Sequence, residues 1–421
     1  MESLLPNECN IKELKMKILL INVCAQNGST GKIVSILKSG YEELGHKAIV
    51  CYGSRKEKIN EPDYFKVTKP FESYLSAFFY RLLGFQGVFL SKATQRLISI
   101  IKNESPDVVQ LLNIHGYYLD EFKLLSFLAE TNIPTVYSMM DEYAYMGKCM
   151  FSYECNQFID GCHHCIRIKD YPTSLFFDRS SYYFKKKERV YKIFTSIVFT
   201  GVPWVVSRAK QSKLLRDKVV RVVNEPIDLD NYFFPQDASA IRNELGIPQD
   251  NIVVLMVASL SAPRKGGKYF LDLCRQIGNK EGYSFIYVGY DTDEYEAPSN
   301  LIKIPYVSSM KRLAEFFSLA DVFVSTTLSD TIPNACINAL GCGTPICGFD
   351  LSGLSFIGID NEQLVKLVKP FDINELEKAV LSFPKKEDDI VKKCRNSVYG
   401  DYIPINIVKS YIKIFDELVG V

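Results

Sequence analysis

Arg264 and Lys265 stand side by side in "APRKGGKYFLDLC", just before a helical pattern that begins near Gly266. Two cations beside the free N–H groups of a helix N-terminus can bind a diphosphate and stabilise it as it departs. A solvated basic turn would carry the same residues. Downstream, "SDTIPNACINALGCGTPI" puts Asp330 at a strand end, then a turn, a helix expected to start at Pro333, a glycine stop and another strand. Proline suits a first helical position, where its missing donor costs nothing. Asn338 falls near the middle of that helix, facing either a cleft or solvent. His115 in "IHGYY" and Asp141 in "MMDEY" follow two further β-branched runs. An imidazole and a carboxylate at strand ends can place a proton, although His115 could equally bond only to backbone.

A glycine-bearing turn, "AQNGSTG", separates an apolar run, Ile18 to Val23, from an amphipathic helix expected over Thr30 to Leu44. Such a turn aims backbone N–H groups and the helix dipole at an anion. It is not a Walker loop, because Ile33 follows Gly31-Lys32 and Gln26 holds the first glycine position. It is not a dinucleotide fingerprint, which needs three glycines and an acid after the second strand. That strand ends in Cys51-Tyr52-Gly53. A turn chosen for packing alone is the plainer alternative.

Cys149, Cys155, Cys162 and Cys165 fall within 17 residues, with five, six and two residues between them. Cys-x-x-Cys aims two thiolates at one tetrahedral ion, so the spacing points to a structural four-cysteine zinc site. His163 or His164 could replace one sulfur, and four buried thiols are the alternative. No catalytic metal is expected, since four protein ligands leave no open position.

These residues must be held by a frame, and the length sets its scale. A chain of 421 residues exceeds one ordinary core, so two domains are expected. A hydrophobic content of 47% with 24% charged residues fits a globular protein. The formal charge of +1 and the lack of a basic stripe argue against zinc-linked nucleic-acid binding. No uncharged apolar run reaches about 18 residues, so no membrane span is expected. The start, "MESLLPNECNIKELK", has no basic-then-apolar signal and reads as a polar extension over residues 1–15, which implies a cytoplasmic protein.

Short β-branched runs alternate with helical segments, the pattern of parallel sheets covered by helices on both faces. Strands are expected at 17–23, 47–52, 107–113, 134–139 and 219–223, then at 252–258, 283–288, 321–325 and 344–348. "NEPIDLDNYFFP", Asn224 to Pro235, reads as a joint between two halves. The expected organisation is an N-terminal domain over 16–228 with a cysteine-rich loop at 142–175, a C-terminal domain over 229–400, and a crossing helix over 401–421. The chemistry-bearing turns, including "VGYDTDE", fall at strand ends in both halves, so the two sheets should face each other across a cleft. Tyr74 to Ile100, rich in aromatics with scattered cations, could touch a membrane or simply pack on the first sheet.

"SDTIPNACINALGCGTPI" resembles the signature segment of retaining, GT-B-fold glycosyltransferases of family 4. "NGSTGKI", "PDVVQLLNIHGYYL", "GKCMFSYECNQFIDGCHHC", "YPTSLFFDRS", "PRKGG" and "LADVFVSTT" agree in order with one capsule-type subgroup, over roughly residues 16 to 415. The resemblance implies two Rossmann-like domains, with a UDP- or GDP-linked sugar held mainly by the second. A glycan acceptor, lipid-linked, would be held by the first, at the inner face of a membrane. It implies that Lys265 and Arg264 stabilise the departing diphosphate and that Asp330 accepts hydrogen bonds from the donor sugar. The N–H groups around Thr331 to Asn334, in the turn that includes Ile332 and Pro333, would hold the phosphates or sugar, and Asn338 would contact the ribose. Gly28, Ser29, Thr30 and Gly31 would let diphosphate and acceptor approach, while His115 and Asp141 would serve the acceptor side.

The chain departs from the pattern at four places. Asn338 stands where Glu is usual, Ser259 where Arg is usual, Gln110 and Leu112 where two histidines are usual, and Met140 before Asp141 where His is usual. These changes keep a catalytically silent sugar-nucleotide-binding or partner protein as the alternative. An epimerase of similar two-domain shape would share the pattern.

Overall fold

The structure is a computed structural model describing residues 15–420 except 279, 291–295 and 297. The polar extension over 1–15 lies almost wholly outside the described residues, as does the acidic part of "VGYDTDE". The first sheet comprises β1 (Lys17–Asn22), β2 (Lys47–Tyr52), β3 (Tyr64–Lys66), β4 (Val108–Leu111), β5 (Thr135–Ser138), β6 (Ile197–Gly201) and β7 (Val220–Val222). Its order is β3-β2-β1-β4-β5-β6-β7, and every neighbouring pair is parallel. The second comprises β8 (Ile252–Val257), β9 (Tyr283–Val288), β10 (Leu301–Ile304), β11 (Val322–Ser325), β12 (Ile346–Phe349) and β13 (Val365–Val368). Its order is β10-β9-β8-β11-β12-β13, again all parallel. These are two Rossmann-like α/β domains.

In each sheet the winding direction reverses once, between β1 and β4 and between β8 and β11. Crevices open at such switch points, beyond the carboxyl ends of the strands. The turns after β1 and β4 carry Gly28 and His115; those after β8 and β11 carry Lys265 and Asp330. The residues selected by chemistry therefore collect at the two places where an open parallel sheet makes room for a ligand.

The central strands are buried and mostly apolar because helices cover both faces. β1 is buried from Ile18 to Asn22, sending Leu19 and Ile21 into one core layer and Ile18 and Leu20 into the other. The helix Pro404–Val419 leaves the second domain and lies on the helix Gly28–Glu43. Gly40 permits the contact: a Cβ there would sit 2.5 Å from Val408 Cγ2. Tyr41 and Phe415 rings meet at 5.6 Å across the same seam. The two passages between the domains are bonded to each other, Ile227 N–H to Tyr402 O at 2.8 Å and Asn224 Nδ2 to Asp401 O at 3.3 Å.

Four strands escape the sequence pattern: β3, β6, β10 and β13. β3, β10 and β13 are edge strands of three or four residues, too short for a period to show. β6 runs on from the helix Ser180–Ile193 with no glycine or proline between them. Two helix starts also shift. The first helix begins at Gly28 instead of Thr30, and Pro333 is the residue before its helix, with ψ of 89°, so that helix runs Asn334–Gly341. In the aromatic stretch, the helices Pro70–Leu83 and Ser91–Glu104 bury Ala77, Tyr80, Leu97 and Ile101, while Phe71, Tyr74 and Phe78 stay exposed. Among the described residues, no helix is long and apolar enough to cross a membrane.

Candidate active site

The second domain presents a compact clasp. Pro263–Lys265 forms a single 3-10 turn, and Gly266 follows with φ of 66°. A Cβ at Gly266 would lie 1.9 Å from Thr326 O, so only glycine lets the basic loop press against the strand end after β11. Lys265 Nζ donates to Asp330 Oδ2, and Arg264 Nη1 reaches the same oxygen at 3.2 Å. Burial alone would raise the Asp330 carboxyl, but Lys265 and then Arg264 outweigh it and hold it below the usual value. The carboxylate's other oxygen accepts the Thr331 N–H at 3.1 Å. Gly353 N–H donates to Asp330 O at 2.9 Å, and a Cβ there would sit 2.0 Å from Thr331 O. Thr331, Ile332 and Pro333 are buried, while Asn334 and Asn338 are half-buried on the helix that follows.

The glycine turn after β1 already holds an anion of the protein's own. Glu57, 2% exposed, accepts the N–H groups of Ala25, Gln26 and Asn27 at 3.0, 2.9 and 2.6 Å. The N–H groups preceding the first helix are therefore satisfied internally and are not open to a phosphate. Gly28 and Ser29 remain exposed, Thr30 Oγ1 accepts from Asn22 Nδ2 at 3.3 Å, and a Cβ at Gly31 would lie 2.9 Å from Gln26 C. Glu57 sits in "SRKEK", which carries no sequence signal of this role; the unsatisfied N–H groups themselves were the only clue.

Across the cleft, His115 Nε2 lies 2.7 Å from Asp141 Oδ2, with the imidazole 4% exposed. Asp141 Oδ1 accepts the Tyr143 N–H at 2.9 Å, which fixes the carboxylate's plane. Tyr143 lies against the His115 ring at 4.6 Å and bonds through its hydroxyl to Glu121 at 2.6 Å. The His115 Nδ1 atom is buried and has no hydrogen-bond partner. Gln110 takes no part in this pair. It points to the opposite side of the sheet, accepting from Tyr41 Oη at 2.8 Å and donating to Ser138 Oγ at 2.9 Å. Leu112 and Met140 pack in or against the same core layer, so their positions hold structure here.

Glu225, in the joint, was not singled out by its sequence. It is buried, accepts from Asn334 Nδ2 at 2.9 Å, and lies close enough to Asp330, Asp141 and Lys265 for their charges to act on it. Burial lifts its carboxyl to about 7. Glu225 thus ties the joint to the helix that follows Asp330, within electrostatic reach of acids from both domains. Asn334 Oδ1, the other end of that amide, is buried with no partner.

The four cysteines line one cavity of about 310 Å³. Cys149 Sγ and Cys165 Sγ are 3.9 Å apart, and Cys162 Sγ accepts the Gly147 N–H at 3.2 Å. As placed, no group of three or more His, Cys, Asp or Glu among the described residues is arranged to hold a metal ion. The expected four-sulfur closure is thus not seen, because Cys162 is turned to backbone. The loop has other anchors: Lys148 Nζ donates to Ile168 O at 2.7 Å, Glu142 accepts from Ser152 Oγ at 2.9 Å, and Arg208 Nη2 donates to Cys155 O at 3.0 Å. It also meets the second domain, where the Arg264 guanidinium lies 4.5 Å over the Phe151 ring.

This geometry agrees with comparisons to known proteins. Residues 251–385 match the family described as glycosyl transferases group 1. That match lies within the second domain and spans about a third of the chain. WcaC of Escherichia coli (strain K12), named as a colanic acid biosynthesis glycosyl transferase, is 21% identical over 345 residues, covering 79% of this chain and 82% of WcaC. Alpha-galactosylglucosyldiacylglycerol synthase of Streptococcus pneumoniae is 24% identical over 234 residues, 52% of this chain and 54% of the synthase. Among solved structures, sucrose-phosphate synthase from Thermosynechococcus elongatus superposes with a TM-score of 0.66 at 16% identity, covering 96% of this chain and 100% of its own. HepE from Anabaena, in complex with UDP-glucose, superposes with a TM-score of 0.63 at 13% identity, covering 96% and 100%. The two-domain GT-B fold is therefore shared along nearly the whole chain.

Proposed function

We propose that this glycosyltransferase moves a sugar, with retention at the anomeric carbon, from a UDP- or GDP-linked donor to a lipid-linked glycan in surface or capsular polysaccharide synthesis. The cytoplasmic face of a membrane would be its place of action. The observation that carries the reading is the clasp in which Lys265 and Arg264 share Asp330 at the β8/β11 switch point. A donor diphosphate offers the two cations a better-charged partner than one carboxylate. Asp330, released, can then accept hydrogen bonds from the donor sugar. As the bond from the anomeric carbon to the phosphate oxygen breaks, the acceptor oxygen forms its bond on the same face, and the departing phosphate takes the acceptor's proton. Lys265 and Arg264 neutralise the charge that develops on that phosphate. His115, held by Asp141, would orient the acceptor hydroxyl. The names of WcaC and the Streptococcus synthase, and the UDP-glucose in HepE, support a nucleotide-sugar donor and a glycan or lipid acceptor.

The cysteine cavity is read as a structural zinc site. Its support is the donor set of four thiols and the 3.9 Å separation of Cys149 and Cys165. That is close to the sulfur–sulfur edge of about 3.8 Å that a tetrahedron with Zn–S bonds of about 2.3 Å requires. Cys155 and Cys162 would complete it by turning toward that pair.

The test is thermal-shift screening against UDP- and GDP-sugars, followed by an assay of nucleotide release with lipid-linked acceptors. A ligand that binds only the native state raises Tm by mass action. A rise with one base, abolished in Lys265→Ala, is expected. No rise with any nucleotide-sugar would favour the silent, partner-binding alternative.

A further inference from the structure

A second cavity, of about 740 Å³, opens in the first domain between the loop after β2 and the helix Pro70–Leu83. Arg55, Lys56 and Arg81 line it together with Gly116 and Tyr171. Among the described residues, none of these three cations is paired with a carboxylate. Three unpaired positive charges round one hollow repel one another, and an anion placed among them removes that cost.

We propose that this cavity binds a phosphate or diphosphate group carried by the acceptor. The inference rests on the transferase reading for the word acceptor, but the anion site stands on its own geometry. The backbone on either side of the cavity is anchored before any ligand arrives, and one of the three exposed cations, Arg55, is stacked on a ring. Glu57, locked into the glycine turn, pins the chain next to Lys56. The Arg55 guanidinium lies 4.2 Å over the Tyr74 ring, and Leu175 N–H donates to Arg81 O at 2.8 Å. The cavity also adjoins the proton-handling pair: Gly116 follows His115 directly, and the Tyr171 ring is 6.2 Å from the His115 ring. A Cβ at Gly116 would lie 2.6 Å from Tyr171 Oη, so the wall between pair and cavity is thin. A phosphate held here would leave the sugar next to it facing His115. This site is separate from the Arg264–Lys265 clasp, which lies on the other sheet.

A soluble sugar phosphate and a lipid-linked diphosphate share this chemistry, and the test distinguishes them. Geranyl diphosphate, glucose 1-phosphate and, as a neutral control, geraniol are titrated calorimetrically into the full chain. The same titrations use Arg81→Ala, Arg81→Lys, the double variant Arg55→Ala/Lys56→Ala, and Lys265→Ala, with melting curves to confirm folding. At least one phosphate probe should bind the native chain and Lys265→Ala alike. That binding should weaken by about tenfold or more in Arg81→Ala and in the double variant, and partly recover in Arg81→Lys. Preference for geranyl diphosphate identifies a lipid-linked source, and preference for glucose 1-phosphate a soluble one. Absence of saturable binding by both phosphates, binding lost only in Lys265→Ala, or equal binding of geraniol would overturn the proposal. Calorimetry needs no turnover. Phosphate binding here without any nucleotide-sugar binding would retire the transferase reading alone.

Discussion

Glu225, from the joint between the domains, accepts a 2.9 Å hydrogen bond from Asn334 Nδ2 at the start of the helix that follows Asp330. A buried carboxyl of the joint is thereby fixed to the second domain's half of the candidate site. Burial raises it to about 7, Asp330 and Asp141 push the same way, and the Asn334 bond and Lys265 oppose them. A carboxyl whose folded pKa exceeds its unfolded value of 4.5 contributes stability that is full below that value and lost as pH rises through about 7. Glu225→Gln, which stays neutral, should match the native Tm near pH 5 and exceed it at pH 8. An equal difference at both pH values would show that Glu225 is not protonated in the folded protein.

The clasp makes a kinetic prediction. Lys265→Ala should lower kcat by about 100- to 1000-fold, the usual cost of removing one preorganised group from a developing charge. Lys265→Arg should retain part of the rate. Arg264→Ala should cost less, because Arg264 reaches Asp330 at 3.2 Å from a side chain that is also stacked on Phe151. Steady-state rates of nucleotide release check this. Unchanged turnover in Lys265→Ala would move leaving-group stabilisation elsewhere.

Glu57 makes a prediction about stability. Removing its carboxylate strands three backbone N–H groups that it now satisfies. Glu57→Ala should lose about 2–4 kcal/mol in urea unfolding, and Glu57→Gln less. Inorganic phosphate should raise the Tm of Glu57→Ala more than that of the native chain, by filling the vacated turn. Equal response of the two proteins would mean that water satisfies these donors.

For the cysteine loop, purified protein should carry about one zinc per chain. Chelation should speed protease cleavage between residues 150 and 170, yet leave the domain folded, because Lys148, Glu142 and Arg208 anchor the loop independently. Metal analysis well below one per chain would leave four thiols and no staple.

The frame and the clasp were legible in the sequence for a definite reason. β1, β2, β8 and β11 are central, continuous apolar runs bounded by glycine and polar turns, and Arg264-Lys265 and Asp330 occupy those turns. Edge strands such as β3 and β13 are only three or four residues long and carry no period to detect. Glu57 and Glu225 were invisible for a different reason. Each is one acid in an ordinary loop, and its role is set by donors 30 or more residues away: Ala25 to Asn27 for one, Asn334 for the other. Gln110 and Leu112, which suggested a weakened site, were legible as departures. Only the sheet's two-sidedness shows that Gln110 serves the helix seam through Tyr41.

The chain passes between its domains twice, and at Ile227–Tyr402 and Asn224–Asp401 the two passages are tied together. Two parallel threads knotted side by side behave as the pin of a hinge. Sliding one domain along the other, or twisting it about the long axis, would break those ties. Swinging about the pin would keep these ties but part the Arg264–Phe151 and Trp204–Phe356 contacts between the domains.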